Sequence, residues 1–292
     1  MIQEQQIAII GSGGTLGQEF AGACVRRGLK ARAFSGRHDL DVTDRAAVRD
    51  ALGSSRSSIV INASGFTDVD GAETDSRSAF SVNRDGAAHL AETCRQIGAL
   101  LVHFSTDYIF GGDGRPLYGV EADPCPVNVY GLSKLAGERA IRAAQGEHLI
   151  LRTSWLFGAG GASFVDAILD LARERSMIEV VSDQIGRPSR CRHVAETTLR
   201  LVDLGVRGTY HMTNDGSCSR YELAREIVAT ADLDCRVLPC ETARHPRRAH
   251  RPRRSVLDLS GTIALLGRLP HWKTALGEYV EEVMPRATCA AG

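Results

Sequence analysis

The start of this chain limits its fold more than any other stretch. Gln6-Ile7-Ala8-Ile9-Ile10 is an apolar run of the kind a buried parallel strand requires, and it passes directly into Gly11-Ser12-Gly13-Gly14-Thr15-Leu16-Gly17, after which a helix continues to about Arg27. With thirty glycines in the chain, an isolated glycine pattern means little. The order of strand, glycine turn and helix is what gives this one weight. Gly11 permits the tight turn, Gly14 lets backbone approach a pyrophosphate, and Gly17 lets helix pack on strand, with the phosphates on the helix N-terminus. Gly13, Thr15 and Leu16 belong to the same cofactor-binding turn.

Further apolar runs near 29–34, 58–62, 99–104 and 148–156 alternate with helical stretches near 44–52, 76–97 and 128–144. This alternation implies an α/β fold with a doubly wound parallel sheet of the Rossmann kind, whose ligands lie beyond the carboxyl ends of the strands. Past Trp155 the pattern loosens into helices near 162–175, 193–204 and 219–231, with short strands near 178–181, 208–212 and 235–238. The expected division is a dinucleotide-binding domain over 1–155, joined by segments near 190–205, and a smaller α/β substrate domain drawn mainly from 156–292.

The second strand ends in Ser35-Gly36-Arg37, where an NAD-preferring site usually places a carboxylate for the ribose hydroxyls. A hydroxyl and a guanidinium suit a 2′-phosphate instead, so NADPH is the expected cofactor. Asp39 stands near enough to keep NADH open.

A reaction is suggested by Tyr130 and Lys134, which stand one helical turn apart in Val129-Tyr130-Gly131-Leu132-Ser133-Lys134, and by Ser105-Thr106-Asp107 at the end of an upstream apolar run. A phenol titrates at about 10 in water, too high for an efficient acid at neutral pH, and a nearby ammonium is expected to lower it. Thr106 can bind the same substrate oxygen as Tyr130, polarising a carbonyl for hydride attack. A surface tyrosine beside a solvated lysine would explain Tyr-x-x-x-Lys equally well in an arbitrary chain; the upstream dinucleotide turn favours the catalytic reading.

Lysine plus arginine equals aspartate plus glutamate at 35 each, so no overall field attracts nucleic acid or an anionic membrane. No apolar stretch has the length of a membrane span, and Met1-Ile2-Gln3-Glu4 leads into the first strand rather than a signal peptide, so the expected location is cytoplasmic. Eight cysteines, at 24, 94, 125, 191, 218, 235, 240 and 289, form no CxxC pair, and no histidine stands at metal-ligand spacing from Cys235 and Cys240. They read as reduced side chains rather than a zinc site.

The chain resembles the extended short-chain dehydrogenase/reductases, most closely the dTDP-4-dehydrorhamnose reductase family. The likeness covers nearly the whole sequence. It rests on Gly11 to Gly17, Asp41-Val42-Thr43-Asp44, Asn62-Ala63-Ser64-Gly65-Phe66-Thr67-Asp68, Ser105-Thr106-Asp107-Tyr108-Ile109-Phe110, Asn128-Val129-Tyr130-Gly131-Leu132-Ser133-Lys134, Arg152-Thr153-Ser154-Trp155 and Ser182-Asp183-Gln184. The resemblance implies reduction of the 4-keto group of a dTDP-linked 6-deoxysugar. It implies that Asp41 and Val42 border the adenine, that Ala63, Ser64, Gly65, Thr67 and Phe104 line the cofactor with Tyr130 and Lys134, and that Thr106, Tyr130 and Lys134 form the catalytic group. Asp107, Tyr108 and Trp155 would face the sugar. Related dehydratases carry a Glu after the Thr-Asp pair, where this chain has Tyr108, which points to simple reduction. Some members of the family bind magnesium through acidic side chains; these have no clear match here, so no obligatory metal is expected.

Six arginines lie between Arg244 and Arg254, and the resemblance puts Arg251 in the segment closing over the substrate, where it would hold the diphosphate. Trp155, ending an apolar strand, reads equally as core or as a sugar contact. Asn83, opening a helical segment, reads as a cap or orienting group. The competing functions are a nucleotide-sugar epimerase or related ketoreductase, which tightly held NAD would mark, and a non-catalytic NADP-binding regulatory subunit, against which the intact Thr106, Tyr130 and Lys134 argue. The sugar's stereochemistry, the nucleotide base and the oligomeric state, a homodimer included, depend on loops near 65–75, 184–190 and 244–256.

Overall fold

A computed structural model describes residues 2, 5–112 and 114–284; Cys289 and the residues Met1, Gln3 and Glu4 lie outside the described residues. The first half is a regular alternation of β1 (Gln6–Ile10), α1 (Thr15–Arg26), β2 (Lys30–Phe34), α2 (Arg45–Ser55), β3 (Ile59–Asn62), α3 (Val69–Thr74), α4 (Ser76–Phe80), α5 (Ala87–Ile97), β4 (Leu100–Thr106), α6 (Val129–Ala143) and β5 (His148–Thr153). There follow β6 (Leu156–Phe157), α7 (Phe164–Glu174), β7 (Met177–Val181), β8 (Ile185–Gly186), β9 (Ser189–Arg190), α8 (Cys191–Asp203), β10 (Gly208–His211), β11 (Cys218–Ser219), α9 (Arg220–Thr230), β12 (Arg236–Cys240), α10 (Ser260–Leu266) and α11 (Trp272–Val283).

Six strands form one parallel sheet in the order β10-β5-β4-β3-β1-β2. The period of two along β1 divides the core. Ile7 and Ile9 join Phe20 and Leu199 on the face covered by α1 and α8, whereas Ala8 and Ile10 join Leu52, Leu90 and Ile141 on the face covered by α2, α5 and α6. Each face is thus sealed by helices, as a buried parallel sheet demands. A separate core is formed by β7, β12, α7, α9 and α11 around Ile168, Leu223, Ile227, Trp272 and Leu276, with β7 and β12 paired in parallel.

The winding reverses beside β1. β2 lies on one side of it and β3 on the other, which opens a crevice at the strand ends between the glycine turn and Asn62-Ala63-Ser64. Gly11 sits there with φ +79°, and a Cβ on it would come within 2.8 Å of the Ser64 backbone, so both its conformation and its contact exclude a side chain.

Three elements differ from the pattern reading. The strand expected near 208–212 among the peripheral elements is β10, which pairs with β5 as the sixth strand of the main sheet. The single helix expected over 76–97 is interrupted by a six-residue π-helical stretch, Ser81–Gly86. That stretch turns the Asn83 amide toward the loop after β3, where it exchanges hydrogen bonds with both backbone groups of Phe66 at 2.9 and 3.1 Å and donates to Ser133 of α6 at 2.9 Å. The strand expected over 148–156 ends at Thr153, because Trp155 adopts a left-handed φ of +46°.

Candidate active site

The carboxyl ends of β1, β3, β4 and β5 empty into a single cleft of about 700 Å³. Gly11, Gly14, Thr15, Leu16, Ala63, Ser64, Gly65, Thr67, Phe104, Thr106, Asp107, Tyr108, Tyr130, Lys134 and Trp155 line it together. At one end lies the start of α1, whose N-cap Gly14 offers no side-chain hydrogen bond, so the first-turn N–H groups carry no side-chain cap. A Cβ on Gly14 would meet only the Gly11 carbonyl, at 3.5 Å, an ordinary contact. The protein's own packing therefore does not demand glycine at this position, which leaves a cradle a Cβ would fill. Uncapped donors, a helix dipole and that space suit a dinucleotide pyrophosphate.

At the other end stand Thr106, Tyr130 and Lys134. β4 is buried along its whole length and delivers Thr106 at its tip. α6 is started by Asn128, whose Oδ1 accepts from Gly131 N at 2.7 Å while its Nδ2 donates to the His250 carbonyl at 2.8 Å. A cap of this kind contributes about 1 kcal/mol and fixes the first turn, which carries Tyr130. The Thr106 hydroxyl stands beside the Tyr130 phenol, and the Tyr108 ring meets Tyr130 edge-on at 6.0 Å.

Burial pushes the Tyr130 phenol above its ordinary value, and the neighbouring Thr106 hydroxyl only partly opposes this. Lys134 does not lower the phenol, contrary to the sequence expectation. Lys134 is not among the groups that shift the phenol; its ammonium donates instead to the Phe104 carbonyl at 2.6 Å. Burial also pulls Lys134 down to about 8, opposed by the Glu138 carboxylate one turn further along α6. Glu138 is fully buried; burial alone would raise it, but the Arg152 guanidinium, at 3.0 and 2.9 Å, holds its carboxyl below the usual range.

Asp107 is buried and accepts from Ser255 Oγ at 2.5 Å and from Thr106 Oγ1 at 3.2 Å. Burial lifts its carboxyl to about 6 against those bonds. Trp155 is half-buried on the cleft wall, its ring so close to Gly186 that a Cβ there would lie 2.5 Å from Cε2. Its other contact is the Arg220 guanidinium, 3.6 Å from the ring centroid.

Arg220 escapes the sequence reading. It opens α9 inside the capping box Ser219-Arg220-Tyr221-Glu222, a pattern that marks a helix start and nothing more. Here it lines the cleft beside Tyr108 and lies 4.7 Å from the Phe164 ring centroid, yet forms no ion pair within 4.0 Å among the described residues. Arg251, by contrast, is not brought to the cleft wall. Both its terminal nitrogens are on Asp70, at 3.1 and 2.9 Å, which ties its segment to α3. Gly13, Gly17, Ser35, Arg37, Asp41 and Val42 lie behind or beyond the cleft lining. At the end of β2, Asp39 accepts from the Ser35 N–H at 2.8 Å and its hydroxyl at 2.5 Å, while Arg37, 70% exposed, reaches Asp41 at 3.4 Å.

Among the described residues, no group of three or more His, Cys, Asp or Glu is placed to hold a metal ion, and no helix is long and apolar enough to cross a membrane.

Residues 5–284 match the family model described as the RmlD substrate binding domain. The chain belongs to this family. Similar relatives include dTDP-4-dehydrorhamnose reductase of Mycobacterium tuberculosis, 39% identical over 94% of this chain and 92% of that protein. Another is the spore coat polysaccharide biosynthesis protein SpsK of Bacillus subtilis, 36% identical over 95% of this chain and 97% of that one. A solved family structure, dTDP-4-dehydrorhamnose reductase of Bacillus anthracis in complex with NADP, superposes with a TM-score of 0.91 at 34% identity, covering 95% of this chain and 99% of the other. The parallel sheet and the interleaved second core are therefore the family architecture.

Proposed function

We propose that this protein uses NADPH to reduce the 4-keto group of a dTDP-linked 6-deoxysugar, dTDP-4-dehydro-L-rhamnose or a close analogue. One observation carries the reading: a single cleft joins an uncapped helix N-terminus suited to a pyrophosphate with a buried threonine and lysine and a half-buried tyrosine suited to a carbonyl oxygen. The relatives named as dTDP-4-dehydrorhamnose reductases and the NADP complex of one of them support it.

Bound NADPH supplies the hydride. The chain's own residues handle the oxygen and its proton. Thr106 Oγ1, which now donates to Asp107, and the Tyr130 hydroxyl each turn to the substrate carbonyl, and Tyr130 delivers its proton to that oxygen. A phenol held high by burial stays protonated until negative charge develops beside it, which suits a reserve acid. Lys134, anchored on Phe104, supplies a positive charge at this end of the cleft. Asp107, Tyr108 and Trp155 form the wall for the sugar. Arg220, which forms no ion pair within 4.0 Å among the described residues, is matched to the substrate's diphosphate, a role Arg251 cannot fill while it is held by Asp70. Arg37 is exposed enough to swing to a 2′-phosphate, whereas Asp39 is engaged by Ser35.

The test is a panel of dTDP-4-keto-6-deoxysugars, with and without a 3,5-epimerase, mixed with protein and NADPH and followed at the nicotinamide absorbance band. The expected result is stoichiometric NADPH oxidation with at least one sugar and a preference over NADH of about tenfold or more. No oxidation with any member, NAD that copurifies tightly, or a tenfold preference for NADH contradicts the corresponding part of the reading.

A further inference from the structure

Asn62, His103 and Lys134 form a buried chain from β3 through β4 to α6, exposed by only 3%, 1% and 5%. The direction of its hydrogen bonds follows from one fixed donor. The Ser64 backbone N–H gives to Asn62 Oδ1 at 3.1 Å, and the Ser64 hydroxyl gives to the same oxygen at 2.6 Å. Oxygen therefore stands at that end of the amide, and the Asn62 Nδ2 donates to His103 Nδ1 at 3.0 Å. An imidazole nitrogen that accepts carries no proton, so the ring's proton is on Nε2, and that nitrogen faces Lys134 Nζ at 3.5 Å.

A ring N–H pointing at an ammonium sets two donors against each other. The same N–H pointing at a neutral amine meets a lone pair. We infer that His103 is a positioning residue for Lys134: locked by Asn62 in its Nε2–H form, it favours the neutral amine and so makes the lysine readier to release a proton during turnover. The inference rests on the proposed reductase chemistry for its purpose, but not for its geometry. Proton balance is simple. The Nζ–H bond that breaks passes its proton through solvent to the phenolate left on Tyr130, the amine lone pair accepts the His103 Nε2–H, and one proton taken up from bulk solvent, the proton that the reduction consumes, restores the ammonium before the next cycle.

The groups facing Lys134 are few. Tyr130 and Glu138 stand one turn to either side on α6, Glu138 carrying Arg152 of β5, and His103 comes from β4 with the neutral Asn62 of β3 behind it. Glu138 favours the ammonium, and His103 opposes it. Burial and the lysine charge together hold His103 neutral, which keeps Nδ1 free to accept from Asn62 and the proton on Nε2.

Two substitutions separate support from structure. In His103→Asn the amide reaches only the Nδ1 position, so it still accepts from Asn62 but offers nothing to Nζ. In His103→Gln the amide reaches the Nε2 position and is free to turn its oxygen toward the ammonium. The Lys134 titration midpoint, followed by NMR of its Cε or Nζ in the full-length protein without substrate, should rise by about one pH unit in His103→Asn and further in His103→Gln. The alkaline limb of kcat should move the same way, with the KM for NADPH unchanged. Histidine nitrogen spectra of the wild type should show the neutral Nε2–H form from about pH 5 to about pH 9. An Nδ1–H form, or a Lys134 midpoint that moves in neither variant, overturns the inference. Because the lysine titration needs no turnover, a wild type that reduces no dTDP-4-keto sugar sinks the proposed function alone and leaves this inference to be decided by the midpoint.

Discussion

The two ends of the cleft are built in opposite ways. The reacting end hangs on regular elements: Thr106 closes a fully buried strand, and Tyr130 and Lys134 share one face of a capped helix. The substrate wall is assembled from chain segments distant in sequence, with Trp155 forced into a left-handed backbone, its ring sandwiched between Gly186 and Arg220, and Ser255 reaching Asp107. The first arrangement holds the groups of the proposed reaction in fixed positions. The second leaves the choice of substrate to loops that change without disturbing the sheet.

The sharpest way to break this contrast is to remove the acid. Tyr130→Phe should lower kcat by about 10²- to 10⁴-fold while NADPH affinity, read by fluorescence titration, stays near wild type. A variant that turns over normally would mean the regular end does not carry the chemistry. At the wall, Arg220→Met should raise the KM for the dTDP sugar by about 10- to 100-fold and leave kcat within a few-fold, the loss of one charge-assisted contact of about 1.5–3 kcal/mol. An effect on kcat alone would move Arg220 into the reacting group.

A smaller and graded effect is expected from pH. Lys134 is pulled down to about 8, and its ammonium is the useful form, so kcat should fall as pH rises through that region. Asp107 is lifted to about 6, and its carboxylate is the accepting form, so kcat/KM should fall as pH drops through about 6. Each limb changes about tenfold per pH unit beyond its midpoint. A flat profile between about 5 and about 9 would remove both groups from the site. The smallest effect should come from Arg251→Met. Its pair with Asp70 is partly exposed, so thermal unfolding should show a loss of about 1 kcal/mol with kcat/KM changed less than about twofold. Were KM instead to rise as in Arg220→Met, the diphosphate would belong to Arg251.

The same contrast explains what could be read from sequence. The glycine turn, Thr106, Tyr130 and Lys134 are legible because their meaning is local: a strand that runs into glycines, a strand tip, an i, i+4 pair. β10 was readable as a strand but not as part of the main sheet, since nothing in Gly208–His211 names β5 as its neighbour. Arg220 was illegible because its partners Trp155 and Tyr108 come from other elements, and the arginine-rich stretch near 251 was the more visible signal. The position of the Lys134 charge was missed for a different reason: its partner is the Phe104 carbonyl, and a backbone atom leaves no trace in the choice of residues.

The central claim is that a hydride ends on the sugar's ring carbon while Tyr130 protonates the oxygen. It is tested most directly with NADPH carrying deuterium at the transferable position and a dTDP-4-keto-6-deoxysugar, with the product examined by NMR. One deuterium at carbon 4 of the sugar, absent with Tyr130→Phe over the same time, is the predicted result. A product without deuterium at that carbon, or equal labelling by the phenylalanine variant, would contradict it.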